Sequence, residues 1–156
     1  MNARSICGYA SLFAKPDLAG DEILAGAFGR SISRRSDSLT MLYQHDATRP
    51  IGIWTKLQET KRGLWVEGVL ADDVQLAHEV SALIRQNVLS GLSIGYRPIK
   101  AKPGRGAIRR HLHEIDLVEI SIVTFPMQPL AKLYDVPALV GKQTELKPVN
   151  AATAAN

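Results

Sequence analysis

His45, Ser93 and Glu119 are the three side chains whose types and surroundings could do chemistry, as a base, a nucleophile and a group that orients the base. Ser93 stands in Gly91-Leu92-Ser93-Ile94-Gly95-Tyr96. In an extended strand it shares one face with Gly91 and Gly95, while Leu92, Ile94 and Tyr96 take the other. A hydroxyl flanked by two residues without side chains has cleared space above it, as close approach of another backbone would require. The plainer account is a β-bulge or tight bend. His45 ends an alternating row with Leu39, Met41 and Tyr43, where a hydrogen-bonded strand-end histidine is the ordinary reading. Glu119 interrupts the apolar stretch Leu117 to Thr124, with Val118, Ile120 and Ile122 on one face and Leu117, Glu119, Ser121 and Val123 on the other. A carboxylate there needs a cationic or hydrogen-bonding partner, either an imidazolium or one of the arginines.

Together the three would let Ser93 attack a carbonyl, His45 take the proton and Glu119 fix the imidazole. The chain order is His, Ser, Glu, which matches none of the familiar hydrolase orders. Gly91-Leu92-Ser93-Ile94-Gly95 continues as a strand instead of turning into a helix, so it is not a nucleophile elbow. Other candidates carry less. His78 falls near the apolar face of a helix and reads as packing or surface. His111 and His113 share a strand face but lack a third ligand at metal-site spacing, so no metal is expected. Asp46 neighbours His45 but points the opposite way in a strand and reads as a turn former. Glu114 and Asp116 compete with Glu119 as orienter but flank Ile115 near an expected turn, where they can stay solvated. No cofactor is implied.

The elements that must position these residues are short. Ser5 to Phe13 reads as a strand closed at Lys15-Pro16-Asp17, and Glu22 to Ile32 as a short helix. Leu39 to His45, Ile51 to Glu59 and Leu64 to Leu70 read as strands, with turns at Asp46 to Pro50 and Thr60 to Gly63. Leu76, Ala77, Val80, Leu83 and Ile84 give one helical apolar face, with Asp72 and Asp73 at its start for capping and Asn87 at its end. Leu92 to Ile99, Ile108 to Ile115 and Leu117 to Thr124 complete the strands, and Lys100 to Gly106 reads as a basic loop. About seven short strands with one or two helices predict an α+β domain with a mainly antiparallel sheet, closed into a barrel. Residues 1 to 140 form that domain, and Gly141 to Asn156 reads as a disordered tail with little to bury.

Hydrophobic residues at 46% and charged residues at 22% of 156 are globular proportions, which exclude a fibrous or wholly disordered chain. The formal charge of +4 permits acidic partners without demonstrating any. Near the basic segment Lys100, Lys102, Arg105, Arg109 and Arg110 only Tyr96 could stack on a base, so nucleic acid is not favoured. Cys7, the single cysteine, reads as a buried spectator thiol in a reducing setting. Met1 to Tyr9 lacks the apolar run of a secretory signal, and no window has the roughly 18 apolar residues of a membrane helix.

The sequence resembles the prohead maturation proteases of tailed bacteriophages and their prophage and gene-transfer-agent relatives. The resemblance spans about residues 8 to 133 and rests on Gly8-Tyr9-Ala10-Ser11, Gly26-Ala27-Phe28, Leu42-Tyr43-Gln44-His45-Asp46, Pro50-Ile51-Gly52, Gly63-Leu64, Gly91-Leu92-Ser93-Ile94-Gly95-Tyr96 and Leu117-Val118-Glu119-Ile120-Ser121-Ile122-Val123-Thr124-Phe125-Pro126. It implies a serine endopeptidase that cleaves scaffold or capsid-protein delta segments inside the assembling procapsid, in the bacterial host cytoplasm. It implies a fold like the herpesvirus assemblins, the roles of nucleophile on Ser93 and base on His45, and self-association within the shell. The third member of the catalytic unit varies across the wider group, and Glu119 takes that place here. The rival readings are a noncatalytic β-barrel module that binds capsid, scaffold or nucleic acid through its basic loop, and a hydrolase of small esters.

Overall fold

The computed structural model describes residues 4–35 and 39–135. Its strands are β1 (Ser5–Leu12), β2 (Asp21–Ile23), β3 (Leu39–Tyr43), β4 (Asp46–Glu59), β5 (Gly63–Leu70), β6 (Gly91–Pro103), β7 (Arg110–Val123) and β8 (Leu133–Asp135), with helices α1 (Gly29–Arg34) and α2 (Gln75–Arg85). The expected α+β class and mainly antiparallel sheet are what forms. The eight strands make one curled sheet in the order β2-β7-β3-β4-β5-β1-β8, with β6 along the other edge of β7. Its ends meet at a short seam, where Leu92 N–H donates to the Ala131 carbonyl (3.0 Å) and Leu133 N–H to the Ser90 carbonyl (2.8 Å). Leu64, Val66, Trp54, Met41, Ile120, Leu92 and Leu133 fill the inside. The Trp54 indole N–H reaches the Ile120 carbonyl at 3.0 Å, so the largest core residue leaves no donor orphaned. On α2, Ala77, Val80 and Ile84 are buried against β4 and β5 as the spacing predicts, and Asn87 stops the helix with a φ of +58°.

Several boundaries differ from expectation. The segment 22–32 is not one helix: β2 pairs in parallel with β7, Gly26 breaks the chain at a φ of +90°, and only Gly29–Arg34 is helical. Tertiary bonds override the helical spacing there, because Glu59 accepts the N–H groups of Gly26 and Phe28 at 2.8 Å each. Asp72 and Asp73 do not cap α2, whose N-cap is Val74 without a side-chain bond. The turn expected at 46–50 is absent, since β4 already begins at Asp46. Lys100 to Pro103 belong to β6, not to a loop.

The predicted break at Asp116 also disappears, because β7 runs unbroken from Arg110 to Val123. Its free edge carries β2 at 110–112 and β3 at 120–122, both parallel. Between them α1 serves as the partner: the Ser31 hydroxyl donates to the Ile115 carbonyl (3.1 Å) and accepts Leu117 N–H (2.8 Å). Opposite this point Gly95 pairs with Glu119 but Tyr96 with Leu117, so Val118 is an extra, bulged residue. The bulge turns Leu117 into the core and Val118 outward, reversing the faces that strict alternation assigns to those two, while Glu119 stays on the outer face with Ser121. The tail after 140 lies outside the described residues.

Candidate active site

β7 carries the centre of the site. Ser121 pairs directly with Ser93 of β6, Gly95 pairs with Glu119, and Leu42 of β3 flanks Ser121 on the other edge. Directly opposed residues of an antiparallel pair project to the same side, so Ser93, Ser121 and Glu119 share one face while Leu92, Ile120 and Ile122 fill the core on the other.

His45 arrives from a two-residue hairpin turn between β3 and β4. Tyr43 pairs with Asp46, and Gln44 and His45 take φ values of +54° and +59°, the mirror-image turn that suits the twist of a hairpin but is usually built with glycine. The conformation is held from outside. Gln44 N–H donates to the Ile122 carbonyl (3.0 Å), its side-chain amide donates to Thr124 Oγ1 (2.7 Å), and its amide oxygen accepts Thr124 N–H (3.2 Å). His45 N–H donates to Ser121 Oγ at 3.0 Å. The histidine is thus not a strand-end residue, as alternation predicts, but the second residue of a strapped left-handed turn.

His45 Nδ1 is in hydrogen-bond contact with Glu119 Oε1. The other carboxylate oxygen, Oε2, accepts the Ser121 hydroxyl at 2.7 Å. Ser121 is fully buried and therefore ties the backbone of His45 to the carboxylate that meets its ring. Glu119 is 9% exposed, whereas the His45 side chain is 42% exposed, so the imidazole sits between a sheltered acceptor and open solvent. With Nδ1 facing the carboxylate, Nε2 is the nitrogen available to a nucleophile. Ser93 is 4% exposed, and among the described residues its hydroxyl makes no hydrogen bond. A nucleophile–base bond that forms only with substrate is common in empty sites.

The flanking glycines serve the protein's own groups. A Cβ on Gly95 would lie 2.4 Å from Glu119 Oε1, and one on Gly91 would lie 2.7 Å from the Val123 carbonyl and 2.9 Å from the Pro126 ring. The space expected for a substrate backbone is filled by the carboxylate and by the segment after β7. The pocket beside Ser93, bordered by Ser11, Asp21, Tyr96 and Gln128, measures about 30 Å³, enough to hold a water.

The remaining candidates are engaged elsewhere. Glu114 binds Arg30 and Lys100 at 3.1 Å each, which hold its carboxyl below the usual range, and Asp116 lies 3.9 Å from Arg35. Neither is solvated at a turn as the sequence suggests; both are β7 residues with cationic partners. Asp46 accepts the Thr48 hydroxyl (2.6 Å) and N–H (2.9 Å), which lower its pKa, so its carboxylate is engaged within β4 and not with the His45 ring. His78 contacts the Asp72 carbonyl, and His111 contacts Glu22. Cys7 is buried beside the Tyr134 carbonyl. The basic segment is partly neutralised: Arg110 grips Asp21 through two nitrogens (2.8 and 2.6 Å), with Arg109 at 3.3 Å and the Tyr96 hydroxyl at 2.7 Å. These partners pull the Asp21 carboxyl down to about 2, Arg110 foremost, while burial and Asp21 push the Tyr96 phenol up.

Sequence reasoning missed Ser121, Gln44, Thr124 and the Asp21 cluster. Ser121 was detectable, since it stands two residues from Glu119 on the same strand face. The pairing of Gln44 with Thr124 joins residues 80 apart and has no local signal.

Two phage proteins are similar along most of the chain. The prohead protease of Enterobacteria phage HK97 is 30% identical over 141 residues, covering 88% of this chain and 62% of the relative. That of Escherichia phage T5 is 32% identical over 123 residues, covering 78% and 57%. The chain thus spans about three fifths of the length of these relatives. In fold it is similar to the bacteriophage T4 capsid assembly protease, with a TM-score of 0.60 at 11% identity over 76% of this chain and 80% of that one. A Kaposi's sarcoma herpesvirus protease solved with a hexapeptide phosphonate inhibitor gives 0.58 at 12% identity, over 85% and 64%. The sequence profile of one family matches residues 1–140, and by that match and those relatives this chain belongs to the caudovirus prohead serine proteases.

Proposed function

We propose that the chain is a serine endopeptidase that cleaves scaffold or capsid-protein delta segments as a procapsid matures, inside the shell in the bacterial host cytoplasm. Ser93 Oγ attacks the scissile carbonyl while His45 Nε2 takes its proton. Glu119 holds Nδ1–H and stabilises the imidazolium that forms. The imidazolium then gives its proton to the departing amine, and water, deprotonated by the same nitrogen, releases the acyl group from Ser93.

The observation that carries this reading is the contact of His45 Nδ1 with Glu119 Oε1 on the outer face shared with Ser93. A histidine fixed through one nitrogen and exposed at the other is what base catalysis needs, and the family makes proteolysis the natural use. The basic-loop alternative loses support because Lys100, Arg109 and Arg110 are paired with Glu114 and Asp21. The test is mass spectrometry of capsid and scaffold proteins coexpressed with the wild type or with Ser93→Ala. Defined new termini with the wild type alone support the reading; identical intact masses in both would defeat it. Covalent labelling of Ser93 by a fluorophosphonate without peptide cleavage would indicate a small-ester hydrolase instead.

A further inference from the structure

Four cations without a counterion gather away from the basic segment singled out in the sequence. Lys15, Lys61, Arg62 and Lys132 line an open groove of about 410 Å³ that has no carboxylate in its wall. None of the four is in an ion pair among the described residues, in contrast to Lys100, Arg109 and Arg110. Three of the four have fixed backbones. The Gln128 side chain donates to the Lys15 carbonyl (2.9 Å), Phe13 N–H donates to the Arg62 carbonyl (2.9 Å), Arg62 N–H donates to Thr60 Oγ1 (3.1 Å), and Lys132 bridges to Gly91. The Arg62 guanidinium lies over the Tyr9 ring, 4.9 Å from its centroid, which limits its wandering without using its charge.

We infer that this groove binds an acidic stretch of polypeptide. Four like charges held together without counterions repel one another and gain when an anion joins them. Nucleic acid is the lesser match because the two rings at the groove are each already packed on another ring, Tyr134 on Trp65 at 5.9 Å and Phe13 on Phe28 at 6.2 Å, and so make poor stacking platforms for bases. Position adds to the case. Lys132 faces Gly91, two residues before Ser93 on β6, and a directly opposed pair shares one side of the sheet. Pro126 covers Gly91 and Leu130 forms part of the groove wall, so residues 124–130 stand between groove and Ser93. The acidic stretch therefore lies outside the cleavage position and works as a tether. Its being part of the substrate rests on the protease reading; the binding itself does not.

The test is fluorescence anisotropy with fluorescein-labelled octaglutamate, which needs no catalysis and is run on the full chain carrying Ser93→Ala. The groove variant combines Lys61→Gln, Arg62→Gln and Lys132→Gln. The control, Lys100→Gln, Lys102→Gln and Arg105→Gln, removes the same formal charge elsewhere. Octaglutamate is expected to bind the parent and the control alike, and the groove variant about tenfold or more weaker, with affinity falling as salt rises. Should the groove variant fail to fold, Lys15→Gln with Lys61→Gln, both on exposed residues, gives a smaller loss in the same direction. Equal binding by groove variant and parent, equal loss in the control, or no binding by the parent overturns the inference. Tighter binding of octathymidylate than of octaglutamate, lost in the groove variant, overturns the choice of polypeptide. Failure of any of these leaves the Ser93 chemistry untouched, since that is read by cleavage.

Discussion

At the scale of single residues, the proposed reaction divides its work among four polar groups, Ser93, His45, Glu119 and Ser121, and substitution should rank them. Ser93→Ala removes only one oxygen, so cleavage should vanish while thermal unfolding stays within about 1 kcal/mol of the wild type. Glu119→Gln should slow cleavage less completely, by about 10² to 10⁴, because an orienting group supports the base and does not form the bond. The amide variants of Glu114 and Asp116 should cleave near the wild-type rate, since their partners are Arg30, Lys100 and Arg35. A crippled Asp116→Asn beside an active Glu119→Gln would reverse the assignment. Ser121→Ala leaves Glu119 Oε2 and the His45 N–H without their shared partner, and should lower kcat about tenfold or more with KM little changed. Ser121→Thr, which keeps the hydroxyl, should recover part of that loss. At Gly95, alanine would place a Cβ against Glu119 Oε1, so Gly95→Ala should be as inactive as Glu119→Gln with Ser93 and His45 both intact.

At the scale of elements, the β3–β4 turn places His45, β7 places Glu119 and Ser121, and β6 places Ser93. Two consecutive non-glycine residues with positive φ are costly, and the turn persists because Gln44 and Ser121 tie it to the end of β7. Gln44→Ala deletes both side-chain bonds to Thr124, and should cost about 1 kcal/mol in chemical denaturation and several-fold in kcat. A loss of stability with full activity would mean that Ser121 alone positions the histidine. Elements also mark where the sequence was legible. Alternation placed Ser93 opposite the core face of β6, and helical spacing found α2. The polarity of Glu119 within an apolar run identified the carboxylate. Alternation failed on β7 because the bulge at Val118 is set by Ser31 reaching in from α1, a contact between residues 86 apart. It failed at His45 because left-handed turns are signalled by glycine or asparagine, and this one is built from Gln-His. The 22–32 segment misled for the same reason: Glu59 holds its N–H groups in a turn that no neighbouring residue specifies.

At the scale of the whole molecule, the Asp21 cluster links stability to pH. The folded carboxyl titrates at about 2, below its ordinary value of 3.8, so its contribution is fully present above pH 4 and is lost as pH falls towards 2. The shift corresponds to no more than about 2 kcal/mol, reduced because Arg109 is largely exposed. Urea unfolding of Asp21→Asn should therefore show a deficit of about 1 kcal/mol at pH 7, and the ionic part of that deficit should shrink towards pH 2. A deficit that does not change with pH would mean that packing, and not charge, is what the variant lost. A chain ending at Val140 should fold and cleave, because the family match also ends there and the following residues offer little apolar surface.

The sheet's two ends are joined by the bonds of Leu92 and Leu133 to Ser90 and Ala131, whereas every other neighbour in the curl is held by a ladder. A short seam breathes before a ladder does. Hydrogen exchange should consequently release the amides of Leu92 and Leu133 through local opening, ahead of those of Ile120 and Val66 in the interior strands. The curl then opens first one residue from Ser93, so a cross-link that bridges the seam should slow that exchange while leaving the contact of His45 with Glu119 in place.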